Sequence, residues 1–287
     1  MTLSELNRLI VSELEPSLGR GEATATSRLL LEDTLGVDPT TLLTRGEREI
    51  EPETETRFRD FIRRIKSGEP PQYVVGRARF MGMDLKVTPA TLIPRPETAE
   101  LVDIVTDYAD RRSDLRILDV GTGSGCIAIA LARALPFPKV TAVDISREAL
   151  DVAGENAERL RAEIVFIQTD FLKDRQKVAG EYDIIVSNPP YIAESERASM
   201  ESRVKDHEPK SALFVPDSDP LVFYRAISDF ALENNVPKIF LEINPLFASD
   251  LHEMALGRGF DCEIILDSSS RQRFAVLTNT QICKEKK

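Results

Sequence analysis

The sequence predicts an α/β protein: a seven-stranded, mostly parallel sheet with an antiparallel edge hairpin, preceded by a small all-α region. Three observations predict it. From residue 100 onward short apolar runs alternate with helical patterns, which is the order of parallel strands joined by crossover helices. Before residue 70 the apolar residues recur at helical spacing alone. The last two apolar runs are joined by a link too short for a crossover, so they pair as an antiparallel hairpin.

Two helices open the chain. Leu6, Leu9, Ile10 and Leu14 form one stripe, and Leu29 to Leu31 with Leu35 form a second that Gly36 ends. A third lies in "EPETETRFRDFIRRIKSGEP": acids fill its first turn, Phe58, Phe61, Ile62 and Ile65 make the apolar stripe, and Gly68 stops it. Its basic residues, Arg57, Arg59, Arg63, Arg64 and Lys66, read as the solvated side of an amphipathic helix rather than a partner-binding face. Residues 1–70 are therefore taken as a helical bundle. Alternating apolar residues around Gly82 predict a short hairpin within a connector over 71–91, and residues 92–287 form the second domain. Its strands are placed at Arg116–Val120, Val140–Asp144, Ile164–Thr169, Tyr182–Ser187, Lys238–Ile243, Cys262–Leu266 and Arg273–Leu277.

Composition narrows the class. The 287 residues are 42% hydrophobic and 30% charged, ordinary values for a globular protein with room for two cores. A net charge of -11 and a pI near 4.9 argue against a protein that wraps duplex DNA, which needs a basic face. Cys126, Cys262 and Cys283 stand far apart, only His207 and His252 accompany them, and no metal site is expected. The opening "MTLSELNRLI" lacks a basic-then-apolar leader, and no run is long enough to span a bilayer, so the expectation is a cytoplasmic protein without membrane contact.

In "RILDVGTGSGCIAIALARAL" a strand runs into Gly121, Gly123 and Gly125 and then into a helix. Glycines let a ligand approach the backbone, and the helix start beyond offers free N–H groups. Nineteen residues past Gly125 the next strand ends at Asp144, where a carboxylate can accept from both ribose hydroxyls of an adenosine-bearing cofactor. Glycines at every second residue do not make the GxGxxG frame of NAD-binding folds. Asp170 and Phe171 close the third strand; Asp170 reads equally as an acceptor for the adenine amino group or as a cap.

The fourth strand ends in "SNPPY", at the place where open α/β sheets bind ligands. Pro189 and Pro190 cannot donate N–H groups and hold the backbone stiffly, so the Asn188 side chain and the Pro189 carbonyl are offered as acceptors. Two convergent acceptors suit an NH2 group and stabilise the positive charge that grows as its nitrogen attacks. Tyr191 is expected to lay its ring against a planar target. The quartet alone leaves open whether that target is an adenine amine or a glutamine amide.

"DVGTGSG", "AVD" and "SNPPY", in this order, resemble class I methyltransferases that use S-adenosylmethionine, with a Rossmann-like sheet. "GEPPQYVVGRARF" (68–80) and "ATLIPRPET" (90–98) narrow the resemblance to the HemK/PrmC release factor glutamine methyltransferases. The resemblance implies methylation of the glutamine of the GGQ motif in peptide chain release factors to N5-methylglutamine, by an enzyme acting as a monomer without direct contact to nucleic acid. It implies that Gly121, Thr122, Gly123, Ser124 and Gly125 hold the methionine end of the cofactor, Asp144 the ribose, and Asp170 with Phe171 the adenine. Asn188, Pro189, Pro190 and Tyr191 hold the glutamine, Asn188 also lies near the cofactor, and Asn188, Pro189 and Tyr191 carry the transfer. Arg95 and Glu97 brace the pocket, unless they form only a local ion pair.

The sequence departs from the family pattern in "FVPDSDPL" (214–221), which lacks the usual glycines, and at Asn244 and Pro245, where a glycine is usual. Three alternatives stand beside this reading: glutamine methylation of a ribosomal protein, adenine-N6 methylation of DNA, and a NAD-dependent oxidoreductase or nucleotide-binding regulatory module. The short helical region and "ATLIPRPET" disfavour the first, the acidic balance the second, and the glycine spacing the third.

Overall fold

A computed structural model describes residues 1–285. The chain divides into two compact units: residues 1–77 with 201–207, and residues 78–200 with 208 onward.

The first unit is built from α1 (Leu3–Leu18), α2 (Arg20–Leu35), α3 (Pro39–Arg45), α4 (Pro52–Lys66) and α5 (Pro71–Val75). Thr2 and Glu5 close a capping box at the start of α1, each accepting from the other's amide. Leu3, Leu6, Ile10 and Leu14 then face Phe58, Phe61, Ile62 and Ile65 of α4 in one core. The sequence placed α2 only from Leu29; it begins at Arg20, because its first turns bury Ala23, Thr26 and Ser27, small residues that leave no apolar stripe. The basic side of α4 is paired as a solvated face: Arg59 meets Glu55, Arg64 meets Glu69, and Lys66 meets Glu13.

The second unit begins with β1 (Arg77–Phe80) and β2 (Met83–Lys86), the hairpin expected around Gly82. Met81 and Gly82 both take positive φ, the geometry of a two-residue turn that matches strand twist. Lys86 exchanges two backbone hydrogen bonds with the Asn156 side chain, which fastens the hairpin to the helix that follows the second parallel strand.

There follow α6 (Pro96–Ala109), β3 (Arg116–Val120), α7 (Cys126–Ala134), β4 (Lys139–Asp144), α8 (Arg147–Leu160), β5 (Ile164–Gln168), α9 (Phe171–Asp174), β6 (Ile184–Ser187), β7 (Ile192–Ala193), α10 (Ser202–His207), β8 (Phe214–Val215), α11 (Val222–Glu233), β9 (Lys238–Glu242), α12 (Ala248–Gly257), β10 (Phe260–Leu266), β11 (Gln272–Asn279) and α13 (Thr280–Glu285). The main sheet has the order β10-β11-β9-β6-β3-β4-β5. Its five middle and far strands run parallel, and β10 and β11 pair antiparallel at one edge, as the sequence predicts.

Alternate residues of the central strands enter two cores. Ile117, Ile184, Val186 and Phe240 pack with α6 and α7, while Leu118, Val120, Ile185 and Leu241 pack with α11 and α12. The strand order reverses between β3 and β6, which opens a crevice at their C-terminal ends. Ser187 Oγ donates to the Val120 carbonyl at 2.6 Å and holds those two ends together. The short parallel pair β7 and β8 was not anticipated, since two residues carry no period. No described helix is long and apolar enough to cross a membrane.

Candidate active site

A pocket of about 340 Å³ lies at that crevice. Gly121 and Gly123 reach it from the turn after β3, Asp144 to Ser146 from the end of β4, Thr169 to Leu172 from β5, and Asn188 to Pro190 from β6. Ala90 and Leu92 close one side, and Phe214, Pro216 and Phe223 another.

The glycines divide their work. Gly121, Gly123 and Gly125 all take positive φ. A Cβ at either of the first two would meet nothing within 4 Å, so their backbone lies open to the pocket. At Gly125 it would stand 3.1 Å from Ile129 Cδ1 and 3.2 Å from Ala153 Cβ, so this glycine serves the approach of α7 to α8 and lies outside the pocket lining. Thr122 and Ser124 are buried and also lie outside it. Thr122 Oγ1 donates to Asp119 Oδ2 at 2.7 Å, a bond that ties the turn to β3.

Asp144 lines the pocket and organises its wall. Its Oδ2 accepts from the Gly123 amide and its Oδ1 from the Ser146 amide, both at 2.9 Å. Burial pushes its carboxyl up, and the amides of Ser146, Gly123 and Ile145 oppose that rise. Asp119, wholly buried beneath the loop, is pushed up by burial to about 7, against the pull of Thr122 and the Ala128 amide.

Asp170 caps α9 by accepting from the Leu172 amide at 3.1 Å and pairs with Lys173 at 2.7 Å. The Lys173 hydrogen bond holds its carboxyl below the ordinary value. Of the two readings offered for Asp170, the cap is formed, and the residue still lines the pocket. Phe171 lines the pocket and tilts against Phe230, with ring centroids 5.3 Å apart.

Asn188 faces the pocket with its Nδ2 held from behind, donating to Thr98 Oγ1 at 3.1 Å. Among the described residues no backbone amide donates to the Pro189 carbonyl. Pro189 and Pro190 line the pocket; Tyr191 does not. Its hydroxyl turns into the core and donates to Glu242 Oε1 at 3.0 Å, so the expected ring face against a target gives way to an anchor. Asn244 adds to that anchor by donating from Nδ2 to the Tyr191 carbonyl at 3.1 Å, while its Oδ1 accepts from the Leu246 amide. The residue at the departure from family pattern is thus a cap and a clamp.

Arg95 and Glu97 do not line the pocket and do not form the local pair considered for them. Arg95 reaches Glu208 instead, at 2.5 Å, and the Ile93 amide donates to the same buried carboxylate. Glu97 lies half-buried in the first turn of α6. Sequence reasoning missed Thr98, Asp119, Glu208 and Glu242. Glu242 carried a signal, a lone acid inside the apolar run "IFLEINPLF".

The chain matches two family models, the PrmC N-terminal domain over residues 8–76 and the Methyltransferase small domain over 101–205. It is 43% identical to a release factor glutamine methyltransferase of Bacteroides thetaiotaomicron, over 88% of this chain and 91% of that one. The chain belongs to the release factor glutamine methyltransferase family. A second member, from Bacillus subtilis, is 38% identical to this methyltransferase over 88% of the chain and 90% of the relative. The catalytic domain of hMettl16 shares the fold, with a TM-score of 0.57 and 17% identity over 80% of this methyltransferase and 82% of that chain.

Proposed function

We propose that the protein transfers a methyl group from S-adenosylmethionine to the side-chain amide nitrogen of the glutamine in the GGQ motif of peptide chain release factors, giving N5-methylglutamine. The observation that carries this reading is the meeting, in one pocket, of an open glycine turn with the paired acceptors of Asn188 and Pro189. The curated relatives are named for the same activity.

The pocket fits the cofactor. Gly121 and Gly123 leave room for a ligand against the backbone, Asp144 is an acceptor at the end of β4, and Ile145, Phe171 and Leu172 offer apolar surface for a purine. When bound, the cofactor would supply a methyl on a positively charged sulfur, and its transfer to the amide nitrogen would leave the neutral thioether S-adenosylhomocysteine and release one amide proton to solvent. Asn188 Oδ1 and the Pro189 carbonyl accept from the amide hydrogens. That draws electron density toward nitrogen and stabilises the charge that develops there. Pro190 keeps the Pro189 carbonyl in place, and the remaining work is positioning. Tyr191, Arg95 and Glu97 support the site from outside the pocket.

We take the enzyme to act as a cytoplasmic monomer on a protein partner, without direct contact to nucleic acid. Incubation with methyl-labelled S-adenosylmethionine and, separately, a release factor, ribosomal protein and DNA tests the reading. Label is expected on the release factor glutamine alone; label on ribosomal protein or DNA instead overturns it.

A further inference from the structure

Behind the pocket a chain of polar side chains runs into the core of the second unit. Asn188 Nδ2 donates to Thr98 Oγ1 at 3.1 Å, and Thr98 Oγ1 donates to Glu242 Oε2 at 2.8 Å. The Tyr191 hydroxyl donates to Glu242 Oε1 at 3.0 Å. Thr98 and Glu242 are 2% and 1% exposed, and neither touches the pocket.

The order of donors in this chain is dictated by its far end. Both Glu242 oxygens accept there, from Thr98 and from Tyr191; burial pushes the carboxyl up, and these two hydroxyls and Arg273 oppose the rise. The single hydroxyl hydrogen of Thr98 therefore goes to Glu242, and the face that Thr98 turns to Asn188 holds lone pairs alone. Only the NH2 end of Asn188 can meet lone pairs. Its carbonyl oxygen is thereby left for the pocket.

We infer that Thr98 and Glu242 are positioning residues that fix the orientation of the Asn188 carboxamide, so that the pocket presents an acceptor and selects a substrate bearing an NH2 group. The inference rests on the functional reading given above and extends it to two residues that never meet the substrate. A neutral isostere at 242 separates orientation from packing. Glu242→Gln keeps the volume, but its own NH2 can donate to Thr98. The Thr98 hydrogen then turns to Asn188, whose oxygen is drawn away from the pocket.

The test uses the full-length protein with S-adenosylmethionine and a release factor. Glu242→Gln and Thr98→Val are expected to lower kcat by about tenfold or more, because a misaligned acceptor loses much of its positioning effect. Cofactor Kd by calorimetry and Tm should stay near wild type, and Thr98→Ser should restore kcat. Wild-type kcat and KM in Glu242→Gln, or a loss of rate that merely follows loss of cofactor binding or of folding, overturns the inference. If the wild-type protein fails to methylate the release factor, the functional reading falls instead. The side-chain amide resonances of Asn188 then decide separately: they should shift in Glu242→Gln if the carboxamide turns over, and unchanged resonances sink the inference.

Discussion

Asn188 can offer its oxygen to an incoming amide because its nitrogen is already occupied by Thr98. Removing the side chain removes one of two acceptors and leaves the glycine turn and Asp144 in place. Asn188→Ala is therefore expected to keep its circular dichroism spectrum and cofactor affinity while methyl transfer to a release factor falls by about a hundredfold. Turnover at the wild-type rate would show that Asn188 has no part in the transfer. Asp119 gives a prediction of another kind. Burial raises its carboxyl from an ordinary 3.8 to about 7, so the folded protein holds this proton more tightly than the unfolded chain does. Its contribution to stability is full below pH 3.8 and is lost as pH rises through 7. Asp119→Asn cannot ionise. Relative to wild type it should gain stability between pH 5 and pH 8, by at most about 2.7 kcal/mol, in urea titrations at the two values. An equal difference at both would place the wild-type group outside this range.

The site was partly legible at this scale. Gly121, Gly123, Asp144 and the three residues Asn188 to Pro190, which line the pocket, announce themselves because residue type and strand-end position mark them. Tyr191 and Arg95 misled because their direction depends on partners 51 and 113 residues away, Glu242 and Glu208, which no local pattern reveals.

At the scale of elements, the turn after β3 depends on a glycine that serves packing. Gly125 has a φ of 81°, and a Cβ there would press on Ile129 and Ala153. Gly125→Ala should cost about 1–3 kcal/mol through backbone strain and crowding between α7 and α8, seen as a lower urea midpoint. A midpoint equal to wild type would mean that the two helices can part without penalty. The parallel strands were legible because buried strands are continuous apolar runs between helices, and their ends shifted by only a residue or two, as with Lys139–Asp144. Helices α3 and α5 were not, being 7 and 5 residues long and each opened by proline with little apolar stripe to read.

For the whole molecule, the proposed cofactor is a source of stability as well as of chemistry. If it binds the folded state alone, S-adenosylmethionine at a hundred times its Kd should raise the free energy of unfolding by about 2.7 kcal/mol, and NAD at the same concentration should leave it unchanged. A thermal shift with NAD and none with S-adenosylmethionine would overturn the choice of cofactor. The stretch 201–207 bears on the molecule as a whole in a different way. It belongs to the first unit, where Arg203 pairs with Glu22, although the residues on either side of it belong to the second. A ribosome making this chain releases residues 1–77 first, but the last piece of that unit follows roughly 120 residues later, on the order of ten seconds at about 5–20 residues per second. The N-terminal unit is thus started first but cannot be finished without part of the second: its completion waits until synthesis has passed the glycine turn and the Asn-Pro-Pro-Tyr quartet.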